Sequence, residues 1–177
     1  PTPAKEASAR AGAVERFPFE AEPSVAFSWI KPTLPDPSEY SFDLIKALLC
    51  DGRSSRLKKR LVYEKKLADD VYCSKGYPGA RMENLFLIWI DPMKSVSSKS
   101  IAEEVAGELK RLREEPVGEE ELASVKKRFN SSFIFNLDDN IDLAASLAEF
   151  QATYGDWRLL AYYPAKISAV TPQQIMQ

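Results

Sequence analysis

Residues 41–72, SFDLIKALLCDGRSSRLKKRLVYEKKLADDVY, constrain the fold of this chain more than any other stretch. Leu44, Ile45, Leu48 and Leu49 recur at helical spacing and make one apolar face. Asp51-Gly52-Arg53-Ser54-Ser55 interrupts them, and Gly52 falls where a left-handed residue commonly ends a helix. Ser54 or Ser55 is placed to cap a second helix, in which Leu57 and Leu61 stand one turn apart. A strand follows from about Asp70. On packing alone this is a helix–turn–helix corner that leads into a strand.

The flanking sequence supplies the rest of a layered fold. Residues 1–12 are small and polar and read as a linker. VERFPFEAEPSVAFSWIKP predicts two short strands, of which Val25–Lys31 has the clearer alternation; Pro18 suggests an edge or a bulge in the first. Asp36-Pro37-Ser38-Glu39 predicts a capping box on the first helix. Asp70–Gly76 and Asn84–Asp91 read as paired strands. Leu85–Ile90 is almost continuously apolar, as in a central strand covered by helices on one face and by a partner on the other, or buried within one domain.

Helices then dominate. Ser97 or Ser98 caps one carrying Ile101, Val105, Leu109 and Leu112 on a stripe, and Pro116 ends it. Glu119-Glu120-Glu121 open the next, with Leu122, Val125 and Phe129 facing the core and Lys126, Lys127 and Arg128 outward. A further helix is expected over Leu137–Tyr154, with Ile141, Ala144, Ala145 and Phe150 in the core. Gly155-Asp156 separates it from a last one, from Trp157 to about Ser168. Thr171-Pro172-Gln173-Gln174 opens another helix just before Gln177, and the chain starts at Pro1, so a domain truncated at both ends is expected. The order argues an α+β fold over residues 13–177: a mainly antiparallel sheet with helices packed on one face.

Composition chiefly excludes. A net charge of −2 calls for neither nucleic acid nor an anionic membrane surface, and no apolar run is long enough to span a bilayer. The chain has 0 histidines, so it can build neither an imidazole zinc site nor a Ser–His–Asp or Cys–His arrangement. Cys50 and Cys73 are too few for a thiolate zinc site and read as small core residues rather than disulfide partners. Asp69-Asp70 and Asp138-Asp139 read as charged turn residues.

DGRSSRLKKRLVYEKKLA resembles the GGxSSRLxxxLREEKGLAY segment of the insulinase, pitrilysin and mitochondrial processing peptidase family (M16) of zinc metallopeptidases. Lys31-Pro32 with Pro35-Asp36 upstream, and PVGEEELASVKKRF and ISAVTPQQI downstream, extend the resemblance over nearly the whole chain. It implies a processing-peptidase or LuxS-like metallohydrolase domain. In that family the N-terminal half carries zinc on an inverted His-x-x-Glu-His helix, while the C-terminal half lacks the metal and closes a chamber around an unfolded peptide. Without histidine, this chain resembles the non-catalytic C-terminal half.

The resemblance therefore implies no cofactor here, zinc in an upstream half, and two partners: a zinc-bearing half or subunit, and an unfolded peptide substrate. It places Gly52, Arg53, Ser54, Ser55 and Arg56 on a candidate substrate-binding loop and assigns no catalytic or metal-binding residue. Some members carry an Arg, and seven residues later a Tyr, that clamp substrate near the metal. Those positions fall on Val62 and Asp69. Valine donates no hydrogen bond and a carboxylate cannot replace a phenol beside an oxyanion. Tyr63 and Tyr72 are close but out of register. The alternative is a scaffold homologue that has lost proteolysis, and the compartment, bacterial periplasm or cytoplasm, stays open.

Overall fold

A computed structural model describes residues 22–177; the linker and the first strand expected before Pro23 lie outside the described residues. Strand β3 (Asn84–Pro92) is the middle of a three-stranded antiparallel sheet, between β1 (Val25–Lys31) and β2 (Ala68–Tyr77). Its alternation sorts the two faces. Ile90 lies between Val25 and Val71, and Ile88 between Phe27 and Cys73, on the face that the helices cover. Leu87 and Trp89 point the other way, beside Ser28, Ser74, Ala26 and Tyr72. Among the described residues that second face carries no helix: Ile30 is 64% and Trp89 43% exposed.

Helix α1 (Ser38–Cys50) lies on the covered face, with Leu44, Leu48 and Leu49 buried and Ile45 half-buried. Each buried leucine contributes about 1.5–3 kcal/mol of transfer free energy. The expected capping box does not form here. Asp36 accepts from the Ser38 amide at 2.9 Å and its hydroxyl at 2.6 Å, but Glu39 turns inward to Lys31 instead of returning to the cap. At Thr171 the box does form: the Gln174 amide donates to Thr171 Oγ1 at 3.3 Å, and the Thr171 amide to Gln174 Oε1 at 2.8 Å.

Gly52 ends the α1 segment in the left-handed region, at φ +86°. Neither serine then caps the second helix. The Ser55 hydroxyl donates back to the Gly52 carbonyl at 2.8 Å, and the helix widens into a π-helix over Lys58–Glu64. Leu57 and Leu61 are buried all the same.

The later elements are α2 (Ser98–Glu114), α3 (Glu119–Phe135), α4 (Asn140–Tyr154), α5 (Arg158–Ala169) and α6 (Pro172–Met176). α1 packs against α3, α5 and α6 as well as β2, so it is the middle layer of the fold. On α2 the buried stripe is Ile101, Val105, Glu108 and Leu112; Leu109 is only half-buried because Glu108 takes the inward place beside Arg56 and Arg111.

Two further expectations are corrected. α4 starts at Asn140, capped by Asp139, and buries no residue: Ile141 is 79% exposed, Ala144 and Ala145 are exposed, and Phe150 is half-buried. Its apolar residues lie on more than one side, so no single stripe exists to seat on the core. The second correction concerns the cysteines. Cys50 and Cys73 form a disulfide with Cα atoms 5.6 Å apart, because the last turn of α1 lies over β2.

Replacing Leu44 by Ala is expected to cost about 2–5 kcal/mol in urea unfolding, with Leu109→Ala costing clearly less. Equal costs would contradict the packing of α2. Removing the disulfide with paired Cys50→Ala and Cys73→Ala substitutions is expected to cost about 3 kcal/mol, the loop-closure term for a separation of 23 residues. An unchanged urea midpoint under non-oxidising and oxidising conditions alike would show the bond to be absent in solution.

Candidate functional site

The turn after α1 is held from both sides. Asp51 is paired with Lys46 at 2.9 and 2.8 Å. Gly52, Arg53 and Ser54 are exposed, and the Arg53 guanidinium lies over the Tyr63 ring, 5.4 Å from its centroid. Ser55 is buried. Arg56 donates to both Glu121 oxygens, at 2.9 and 2.6 Å, and lies 3.6 Å from Glu108. Of the five candidate residues, then, three form an exposed edge, Ser55 closes the turn onto the Gly52 carbonyl, and Arg56 ties it to α2 and α3. The hydrogen bonds from Arg56 hold the Glu121 carboxyl below its ordinary value.

Val62 and Asp69 both fall on irregular backbone. Val62 is half-buried in the π-helix, where the Lys65 amide donates to the Arg60 carbonyl five residues back. Asp69 is exposed in a bulge at the start of β2, between the Ala68–Pro92 and Asp70–Asp91 pairs. Such features concentrate at functional sites. Of the two neighbouring tyrosines, Tyr63 sits under Arg53 and Tyr72 lies on the open sheet face with Lys58 over its ring at 5.3 Å. Lys58 also pairs with Asp70 at 2.8 Å, which joins the π-helix to β2.

A group that sequence reasoning missed lies between α1 and the sheet. Lys31 and Glu39 form a buried ion pair. Lys75 Nζ donates to Asp43 Oδ2 at 2.6 Å, Glu39 Oε1 at 3.1 Å and Tyr163 Oη at 2.9 Å. The Tyr163 hydroxyl donates to Asp43 at 2.6 Å. Burial pushes the Asp43 carboxyl up despite the ammonium beside it, and burial with the facing Asp43 pushes the Tyr163 phenol far up. Every cation here is matched by a carboxylate, so the group is structural. The Lys-x-x-x-x-x-x-x-Glu-x-x-x-Asp spacing of Lys31, Glu39 and Asp43 carried no motif by which to find it. Among the described residues no three His, Cys, Asp or Glu side chains come together as a metal site.

Comparison with known proteins agrees with this geometry. The model of the peptidase M16 inactive domain matches residues 2–129. The chain belongs to that family: it is an inactive M16 peptidase domain. It is 26% identical over 126 residues to a zinc protease, PqqE, of Helicobacter pylori, covering 71% of this chain and 28% of that protein. A protease structure from Helicobacter pylori superposes with a TM-score of 0.78 at 22% identity, over 86% of this chain and 36% of the other. An inactive peptidase domain from Bordetella parapertussis gives 0.76 at 22% identity, over 86% and 80%. The chain thus spans little more than a quarter of the length of the curated relative it matches, 28%.

The Arg56–Glu121 pair sets a pH dependence. Glu121 titrates below its ordinary value of 4.5 in the folded chain, so the pair's contribution is present above that value and is lost as pH falls through the lowered one. Urea midpoints of the native chain are expected to fall more steeply between about pH 5 and pH 3 than those of Arg56→Gln, by a small margin because Glu121 is partly solvated. Parallel acid limbs would show that the pair contributes nothing.

Proposed function

We propose that this chain is the non-catalytic half of an M16 zinc metalloendopeptidase: it forms part of the wall of a chamber for unfolded peptide and docks against a zinc-bearing half or subunit. The observation that carries this reading is the bare face of the sheet. Ile30, Tyr72, Tyr77 and Trp89 are exposed on a surface that also holds the half-buried Leu85 and Leu87. A broad apolar and aromatic surface holds extended peptides of many sequences, since it makes contact area without reading particular side chains. Gly52, Arg53 and Ser54 supply an exposed edge with one cation for the same substrate. The metal chemistry belongs to the other half; this half positions the peptide and excludes water. The Cys50–Cys73 bond favours an oxidising compartment for that work.

In the full-length protease, paired Tyr72→Ala and Trp89→Ala substitutions are expected to lower kcat/KM on an unstructured peptide at least tenfold, about 1.4 kcal/mol, with zinc content unchanged. Unchanged kcat/KM would overturn the chamber-wall reading. Because Val62 and Asp69 leave both clamp positions unfilled, activity is further expected to rise when a clamp-bearing partner subunit is added. A full-length protein without zinc or activity, with or without a partner, would instead identify a scaffold homologue.

A further inference from the structure

Helix α3 carries an apolar stripe that its partner does not fully cover. Val125, Phe129, Ser132, Phe133 and Asn136 recur at the three- and four-residue spacings of one helix face. Leu122 and Val125 are buried against the core. α1 ends at Cys50, however, and the chain turns at Gly52, so among the described residues α1 does not extend over the later turns of α3. What remains is a cavity of about 400 Å³ between the end of α1 and α3. That volume lies within the range of roughly 300–1,000 Å³ usual for ligand sites.

The walls and the rim differ in chemistry. Ala47, Val125, Phe129 and Phe133 make the interior apolar, while Ser132 and Asn136 add a hydroxyl and an amide. Arg128 stands at the rim, exposed, and forms no ion pair among the described residues. The nearest acid in the lining, Asp51, is neutralised by Lys46 at 2.8 Å. The site is therefore an open cleft with an apolar floor and, at its mouth, a guanidinium that no carboxylate among the described residues pairs with. A guanidinium binds a carboxylate through two parallel hydrogen bonds. The complementary ligand places a bulky apolar group and a carboxylate side by side. A peptide's C-terminal residue does so on a single Cα, whereas an internal acidic residue puts its carboxylate on a different residue from the apolar side chain.

We propose that the cavity between α1 and α3 binds the C-terminal residue of a peptide, its apolar side chain inside and its carboxylate on Arg128. Ser132 and Asn136 then hydrogen-bond the last peptide unit. The cavity shares Gly52 with the exposed edge but takes nothing from the bare sheet face that carries the chamber-wall reading, and it is tested on this chain alone.

The probe is an acetylated Ala-Ala-Phe tripeptide with a free carboxylate, compared by calorimetry and amide chemical shifts with its C-terminal amide and with acetylated Ala-Asp-Phe amide. The free acid is expected to bind at least tenfold more tightly than either amide, with shifts at Gly52, Ser132 and Asn136. Arg128→Gln is expected to lose that preference, and Arg128→Lys to keep part of it. Ser132→Trp, which fills the cavity, is expected to abolish binding with the far-ultraviolet dichroism unchanged. Equal binding of acid and amide, equal binding of the internal aspartate peptide, an undiminished preference in Arg128→Gln, or no binding of the acid at millimolar concentration would each overturn the proposal.

Discussion

Two lysines and two carboxylates are enclosed where α1 meets the sheet, and the remainder of the domain is arranged around keeping them paired. Lys31 comes from β1, Glu39 and Asp43 from α1, Lys75 from β2, and Tyr163 closes the group from α5. Removing one partner of a buried pair costs about 3–5 kcal/mol, because the charge left behind has neither water nor a counter-ion. Four elements must therefore keep one mutual placement. A slip of β2 by one residue would turn Lys75 to the open face and leave Asp43 unpaired. The Tyr163 hydroxyl donates to Asp43 Oδ2, the oxygen that Lys75 also reaches, and burial beside that carboxylate pushes the phenol far up.

Tyr163 also carries the outer helices. Its ring stacks on Phe133 at 6.0 Å and Phe129 at 6.1 Å, and meets Tyr40 at 5.0 Å and Phe150 at 5.8 Å edge-on. One residue thus joins the ionic group beneath α1 to α3, α4 and α5. The consequence is an asymmetric domain, with the buried ionic group, the Tyr163 aromatic cluster and α1 on one side of three strands and, among the described residues, no helix on the other. The open face is apolar because a sheet with one covered side still alternates along each strand, and here the outward positions hold Ile30, Tyr72 and Trp89 where a wholly solvated sheet would hold charges.

What was legible in the sequence was what local spacing encodes. Leu44, Leu48 and Leu49 on one helical face, the stop at Gly52, the strands through Val25 and Leu85, and the box at Thr171 all follow from contacts within a few residues of one another. What was not legible depends on distant pairs. Lys31 and Lys75 look like solvated strand ends, and only the packing of α1 across both strands makes them interior. Cys50 and Cys73 likewise meet through that packing. Ser55 failed as a cap because its hydroxyl found the Gly52 carbonyl first, and Leu109 yielded its place to Glu108 because Arg56, from another element, required a buried partner. Among the candidate loop residues, spacing marked the turn correctly, but it could not divide the exposed Gly52, Arg53 and Ser54 from the inward Ser55 and Arg56.

The irregular backbone at Val62 and Asp69 is the least expected result of that division. A π-helix gives up regular α-helical hydrogen bonds and a bulge gives up a ladder pair, and neither is held here by a polar contact of the Val62 or Asp69 side chain among the described residues. The support comes from elsewhere. Leu57 and Leu61 are buried beneath the π-helix, Arg60 pairs with Glu104 at 2.8 Å, and Lys58 pairs with Asp70 at 2.8 Å. The Leu67 amide donates to the Leu61 carbonyl at 2.7 Å, and the Met93 amide to the Leu67 carbonyl at 3.0 Å, so the exit of the π-helix is fastened to the end of β3. These contacts sit on the inner side and at the ends of the segment; Val62 adds a half-buried contact with the core, whereas Asp69 stays exposed in its bulge. The Asp69 side chain is therefore free to change without loss of the fold, while the Val62 side chain is held to an apolar one by the packing beneath it.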